Sequence, residues 1–170
     1  MSSSDFAFVA LGSNLGDSKA IISRAMDRLQ GFSNVPIVRS SLWKSTPVDC
    51  PPDSPGFINA VAAFAPIPGE TPEALLEKLQ AMEKEFGRKP KQVLNEARPL
   101  DLDLIAFGNE ARNSPELTLP HPRAHLRKFV LAPMMEIAPE LVLPGKKKSV
   151  RELLMNLRTK EIVEKAGQPG

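Results

Sequence analysis

The sequence has no tyrosine, one tryptophan and a single cysteine, Cys50, in 170 residues. A lone thiol permits no internal disulfide and no cysteine-built zinc site. That fits a reducing compartment, and the cytoplasm is the expected location. Long apolar runs are missing as well. Nothing approaches membrane-spanning length, and "MSSSDFAFVALGSNLG" lacks the charged start and apolar middle of a signal peptide, so no membrane partner is expected. Neither sign of charge dominates. A net charge of +2 and a pI near 8.8 are too mild to argue for a nucleic-acid partner. The phosphate-cradling patterns G-x-x-x-x-G-K-[ST] and G-x-G-x-x-G are absent, despite the glycines of "GSNLGDSK", and so are the kinase motifs H-R-D and D-F-G.

What is present suits a globular chain. Hydrophobic residues make up 42% and charged residues 25%, enough to build a core and a solvated surface. The length suits one domain, taken as residues 1–158, with a tail from Thr159 to Gly170 expected to fray. Seventeen prolines imply long loops. There is no internal repeat.

Apolar runs at Asp5 to Leu11 and Phe57 to Ala65 read as strands, and "VPIVRSSLWKS" reads as a further strand region interrupted early by Pro36. "DSKAIISRAMDRLQG" reads as a helix capped by Ser18, with Ile22, Met26 and Leu29 on one face and Gly31 as its stop. "TPEALLEKLQAMEKEFG" is the clearest helix: Thr71 caps it, Pro72 opens it, Leu75, Leu79, Met82 and Phe86 line one face, and Gly87 ends it. "TPVDCPPDSPG" and "RKPKQVLNEA" read as loops. The proline-rich stretch from Leu119 to Leu141 reads as turns and short helical pieces on the core. "SVRELLMNLR" is a last helix capped by Ser149. Two helices crossing over an antiparallel sheet make an α+β, ferredoxin-like fold with helices packed on one face.

The stretch "RPLDLDLIAFG" places two acids in an otherwise apolar strand. Alternation puts Asp101 and Asp103 on one face, with Leu100, Leu102 and Leu104 on the other, toward the core. A plain reading is a solvated face whose acids pair with nearby cations. A sharper reading is a magnesium site. Magnesium takes hard oxygen ligands, a few carboxylates plus phosphate and water, and a carboxylate pair can bracket two ions about 3.5–4 Å apart. Arg88, Arg98, His121, Arg123 and Arg127 lie nearby in sequence. Carboxylates and cations together suit a substrate whose charge must be shared, such as Mg²⁺–ATP bound without a P-loop.

Five blocks in order carry a resemblance: "FVALGSNLGD", "STPVDCPPDSPGFINAV", "LQAMEKEFGR", "ARPLDLDLIAFG" and "LTLPHPRAHLRKFVLAPMMEIAPEL". Together they resemble the 6-hydroxymethyl-7,8-dihydropterin pyrophosphokinase family of folate biosynthesis, over about Asp5 to Leu157. The resemblance implies an ATP- and magnesium-dependent enzyme. ATP gives its β,γ-pyrophosphoryl group to the pterin hydroxymethyl oxygen and AMP leaves. It implies two Mg²⁺ ions on Asp101 and Asp103, and a catalytic set of these two with Arg88 and Arg98, which hold and neutralise the phosphates. It places His121 and Arg127 against ATP, and Glu83, Leu104 and Thr118 along the nucleotide site.

Phe57 and Asn59 share a strand face, an aromatic plate beside an amide, which suits a flat ring with a donor–acceptor edge. Ordinary core packing is the plainer account of the phenylalanines. By resemblance Phe129 is the second plate, and Thr46, Pro47 and Val48 form the loop wall. The chain departs from the family pattern at Asn95, where a tryptophan is frequent, at Glu116, where some members carry arginine, and at Leu126, where a glutamate is frequent. Loops Asp49 to Gly56 and Lys89 to Ala97 are expected to close over the substrates.

The partners implied are small molecules, ATP and the pterin, with no nucleic acid. A monomer is expected. The residues leave the proton acceptor open. An RNA-binding module on a similar sheet would need stacked aromatics in an RNP run, which this chain lacks. An inactive scaffold that only binds metal or nucleotide is the other alternative.

Overall fold

The computed structural model describes residues 5–46, 56–87 and 99–169. Its main sheet is built from β1 (Ala7–Ser13), β2 (Val38–Arg39), β3 (Leu42–Thr46), β4 (Phe57–Phe64), β5 (Asp101–Phe107) and β8 (Ile162–Gly167). The strand order is β5-β1-β4-β3-β8, every pairing is antiparallel, and β2 also pairs with β4. A small hairpin, β6 (Arg112–Asn113) with β7 (Thr118–Leu119), stands apart.

Two helices cross over between strands, α1 (Ser18–Leu29) and α2 (Pro72–Glu85). With β1, β3, β4 and β5 they give the β-α-β-β-α-β order of the ferredoxin-like fold expected from sequence. Both helices lie on one face of the sheet. Ile22, Met26 and Leu29 of α1 and Leu75, Leu79 and Met82 of α2 are buried with Val9, Leu11, Leu102 and Leu104. The proline-rich stretch continues into α3 (Lys128–Ile137), and α3 with α4 (Val150–Asn156) packs on the opposite face, over Phe8, Ala10, Val61, Ala63 and Ile105. The β1 strand is apolar on both faces because both are covered, as central strands require.

Local signals account for most boundaries. Thr71 accepts from the Ala74 amide, Pro72 takes the first turn of α2, and Gly87 at φ +97° adopts the left-handed geometry that ends it. Ser149 and Glu152 form a reciprocal capping box on α4. Three expectations need correction. The cap of α1 is Asp17, not Ser18: its carboxylate accepts from the Ala20 amide, while the Ser18 hydroxyl bonds to Ser13. The helix stops at Leu29 and tightens into a single 3₁₀ turn, Gln30–Phe32, before Gly31 can end it. The tail expected to fray instead adds β8, pairing Val163 with Ser45 and Lys165 with Trp43. The break between β2 and β3 also has a local cause. The Ser40 hydroxyl accepts from the Val61 amide, replacing a ladder carbonyl.

Candidate active site

The register of the sheet puts the aspartate strand beside the aromatic–amide strand. Gly12 of β1 is the register partner of Asp101 on β5 and of Asn59 on β4. Asn59 in turn faces Trp43 on β3. Cross-strand partners share a face, so Asp101, Gly12 and Asn59 form one row, with Asp103 and Phe57 on the same face. This is the face that α3 and α4 cover farther along, over Ala10, Val61 and Ile105. The leucines Leu100, Leu102 and Leu104 are buried in the opposite core, while both aspartates stay half-buried. The alternation expected from sequence holds.

At the start of α3 the chain brings cations to this row. The Arg127 guanidinium lies 3.9 Å from Asp103 Oδ2 and 5.5 Å from the centre of the Phe129 ring. Arg127 therefore sits between an acid and an aromatic plate. The His121 amide donates to the Ile105 carbonyl at 2.8 Å, which fixes the histidine against β5. Its Nδ1 accepts from the Arg123 amide at 3.1 Å. Burial, with Arg127 and Arg123 adding to it against the pull of Asp101, lowers the His121 pKa to about 4. Near neutral pH the ring is uncharged, and with Nδ1 accepting, the ring's donor is Nε2–H.

A cleft of about 270 Å³ opens beside Asp103, lined by Leu76, Leu102, Asp103, Leu104, Glu116, Leu117, Thr118, His121 and two prolines. Four residues singled out from sequence meet here: Asp103, Leu104, Thr118 and His121. Glu116 reaches the same cleft from the β6–β7 turn. Leu76, Leu117, Pro115 and Pro122 were not foreseen, because apolar wall residues carry the same sequence signal as core.

Glu83 does not line this cleft. It is 7% exposed, and its Oε2 accepts from the Leu102 amide at 2.8 Å. β5 is an edge strand, and this carboxylate satisfies an outward amide between the two aspartates. Asn59 is also buried, with Nδ2 donating to the Ser45 hydroxyl at 2.7 Å. Thr46 ends β3 and is exposed. Phe57 and Phe129 are half-buried. Arg88, Arg98, Pro47, Val48, Asn95 and the two expected closing loops, apart from Gly56, lie outside the described residues.

Among the described residues no three metal-ligating side chains converge. The donor chemistry at β5 is two carboxylates on one face, with room in the adjoining cleft. That suits magnesium, which fills its remaining positions with phosphate oxygens and water. It does not suit a metal that needs a closed protein cage.

Residues 8–139 match the family described as 7,8-dihydro-6-hydroxymethylpterin-pyrophosphokinase. The chain is similar to the 2-amino-4-hydroxy-6-hydroxymethyldihydropteridine pyrophosphokinase of Haemophilus influenzae, 41% identical over 143 residues, covering 82% of this chain and 85% of that protein. The protein of the same name from Pseudomonas aeruginosa is 39% identical over 138 residues, covering 81% and 83%. Among solved structures, a Plasmodium falciparum HPPK-DHPS aligns with a TM-score of 0.69 at 12% identity, covering 88% of this chain. This chain spans only 42% of that longer one, and the likeness speaks for the fold alone.

Proposed function

The chain belongs to the 7,8-dihydro-6-hydroxymethylpterin-pyrophosphokinase family, and on that premise we propose that it moves a pyrophosphoryl group from Mg²⁺–ATP to the hydroxymethyl oxygen of the dihydropterin, a step of folate biosynthesis. The hydroxyl oxygen attacks the β-phosphorus, the bond from that phosphorus to the α-phosphate oxygen breaks, and AMP leaves with the electron pair. The hydroxyl proton is lost in the same reaction.

The observation that carries this reading is the row Asn59–Gly12–Asp101. An amide able to read a heterocycle edge and an acid pair able to hold a metal–polyphosphate share one side-chain-free floor. Phe57 and Phe129 stack on the flat ring, and Asn59 pairs with its polar edge. Thr46, Pro47 and Val48 form the wall of the pterin pocket. Leu104 and Thr118 line the nucleotide cleft. His121, uncharged, donates from Nε2 to a phosphate oxygen. Arg127 supplies positive charge beside Asp103, and Arg88 and Arg98 complete the phosphate contacts. Glu83 acts on the nucleotide site at one remove, by fixing the β5 edge.

Asp101 and Asp103 would hold two magnesium ions, which when bound would neutralise phosphate charge and favour in-line transfer. Placement and charge stabilisation carry this type of reaction, so no covalent intermediate with the protein is needed.

The test is product identity. Protein, Mg²⁺, ATP and 6-hydroxymethyl-7,8-dihydropterin are incubated, and nucleotides are separated. AMP and the pterin diphosphate in equal amounts are expected. ADP in place of AMP would mean γ-phosphoryl transfer, and neither product would mean a binding scaffold.

A further inference from the structure

We infer that Ser45 is a positioning residue for the pterin: its hydroxyl holds the Asn59 amide in the orientation that the Phe57 carbonyl selects, with Oδ1 toward the ring. The inference rests on the pterin reading of Asn59 given above.

A buried primary amide has two nearly isosteric orientations that exchange a donor pair for an acceptor. Asn59 is 4% exposed, so solvent does little to choose between them. Two groups reach its Nδ2. The Ser45 Oγ accepts at 2.7 Å and the Phe57 carbonyl at 3.4 Å. The carbonyl can only accept, so it breaks the tie in favour of nitrogen. At 3.4 Å it is too long to hold the amide alone. The short bond to Ser45 supplies the hold. Oδ1 is then left on the Gly12 side, 3.6 Å from where a Gly12 Cβ would stand, a position that is also 3.9 Å from the Phe57 ring. It accepts from none of the described residues. An acceptor aimed over the floor selects a ring edge that presents N–H. A flipped amide would present N–H to the same edge and repel it.

Ser45 is itself held in place. It is 7% exposed and in register with Phe57. Gly56 packs so closely that a Cβ there would lie 2.8 Å from the Ser45 carbonyl oxygen. The hydroxyl is thus delivered by two strands and a glycine contact, which is what a positioning role requires.

The test compares Ser45→Thr with Ser45→Val, two side chains of one shape that differ in the hydroxyl. Binding of the dihydropterin is followed by fluorescence in the presence of a non-hydrolysable ATP analogue, and KM is measured for each substrate. Ser45→Thr should bind pterin within about threefold of the parent, whereas Ser45→Val should weaken it roughly 5- to 30-fold, the worth of one buried hydrogen bond. The KM for ATP should not move. In an Asn59→Ala background the Thr and Val forms should no longer differ, because the effect passes through the amide. Should Val pack badly, Ser45→Ala removes the hydroxyl without adding bulk and carries the same expectation.

Equal losses in the Thr and Val forms, parallel losses for ATP and pterin, or a Thr–Val difference that survives Asn59→Ala would each overturn the inference. A parent protein that binds no pterin overturns the parent reading too. A parent that binds pterin while Ser45→Val matches it removes this inference alone.

Discussion

Asn59 and Asp101 stand on either side of Gly12 in one cross-strand row, each its register partner. The glycine leaves the floor between the amide and the acid without a side chain. A Cβ at Gly12 would meet Asn59 Oδ1 at 3.6 Å and the Phe57 ring at 3.9 Å, both ordinary contacts. Gly12→Ala should therefore fold and keep most activity. Gly12→Leu should also fold, yet it would raise its side chain into the space assigned to the ring. The expected result is a pterin KM raised tenfold or more, on the order of 1.4 kcal/mol, with melting temperature little changed. An unchanged pterin KM would move the ring elsewhere on the sheet.

The acid pair is expected to be dispensable for folding and indispensable for turnover. Its neighbours Leu102 and Leu104 carry the burial, while both carboxylates stay half-buried. Asp101→Asn and Asp103→Asn keep side-chain shape and remove charge. Each should cost about 10²- to 10³-fold in kcat, since charge stabilisation of several kcal/mol is lost. The Mg²⁺ concentration for half-maximal rate should rise in whichever variant retains measurable activity. Circular dichroism and melting should match the parent. Activity within threefold of the parent in either variant would refute the metal assignment.

Legibility from sequence followed the range of the interaction. The strand carrying Asp101 and Asp103 was readable because alternation is local, and α2 because Thr71, Pro72 and Gly87 punctuate it within one turn. The α1 cap was misread because Asp17 and Ser18 are both good caps. The choice was made by Ser13, five residues back, which takes the Ser18 hydroxyl. The β8 strand was missed because its face is mostly exposed and alternates weakly. Its reason for being a strand lies on β3, over a hundred residues earlier. Glu83 lies on the buried face of a helix, where an acid looks misplaced until the Leu102 amide of an edge strand is brought to it. The cleft walls Leu76 and Leu117 were illegible in principle, since a pocket wall and a core wall use the same residues.

His121 should titrate well below an ordinary histidine. Its folded pKa is lowered to about 4, chiefly by burial and then by Arg127 and Arg123. The sign follows from proton counting. Between the unfolded value, about 6.5, and the folded value, the unfolded chain binds a proton that the folded chain does not. The contribution of His121 to stability is therefore complete above about 6.5 and declines as pH falls toward 4. In metal- and nucleotide-free protein, NMR titration should give a His121 midpoint near 4. Melting temperature of His121→Gln should fall less steeply than that of the parent across the same interval. A midpoint at the reference value of about 6.5 would show the ring to be solvated and its arginine neighbours remote.

Glu136 of α3 is where the C-terminal strand is tied to the rest of the molecule. Its carboxylate accepts from the Ser41 amide at 2.7 Å, from the Ser41 hydroxyl, and from Trp43 Nε1 at 3.1 Å, with Lys165 of β8 3.7 Å away. Burial raises its pKa, but the hydrogen bonds from Ser41 and Trp43 and the charge of Lys165 outweigh that and lower it overall. Lys165 also lies 5.7 Å over the Trp43 ring, and Gln168 Nε2 donates to the Ser41 hydroxyl at 2.7 Å. Glu136→Gln puts an NH₂ where an acceptor is required, leaving one donor facing another. The loss of a charge-assisted bond is worth about 2 kcal/mol, which for a chain of this size lowers the melting temperature by about 4–8 °C. A chain ending at Arg158 loses the β3–β8 ladder and should melt lower for a separate reason. Because Lys165 and Gln168 act through the Glu136–Ser41 pair, the two changes share partners. The double variant should then lose less than the two losses added together. Fully additive losses would mean that β8 is held by its backbone ladder alone and that Glu136 serves only α3 and β3.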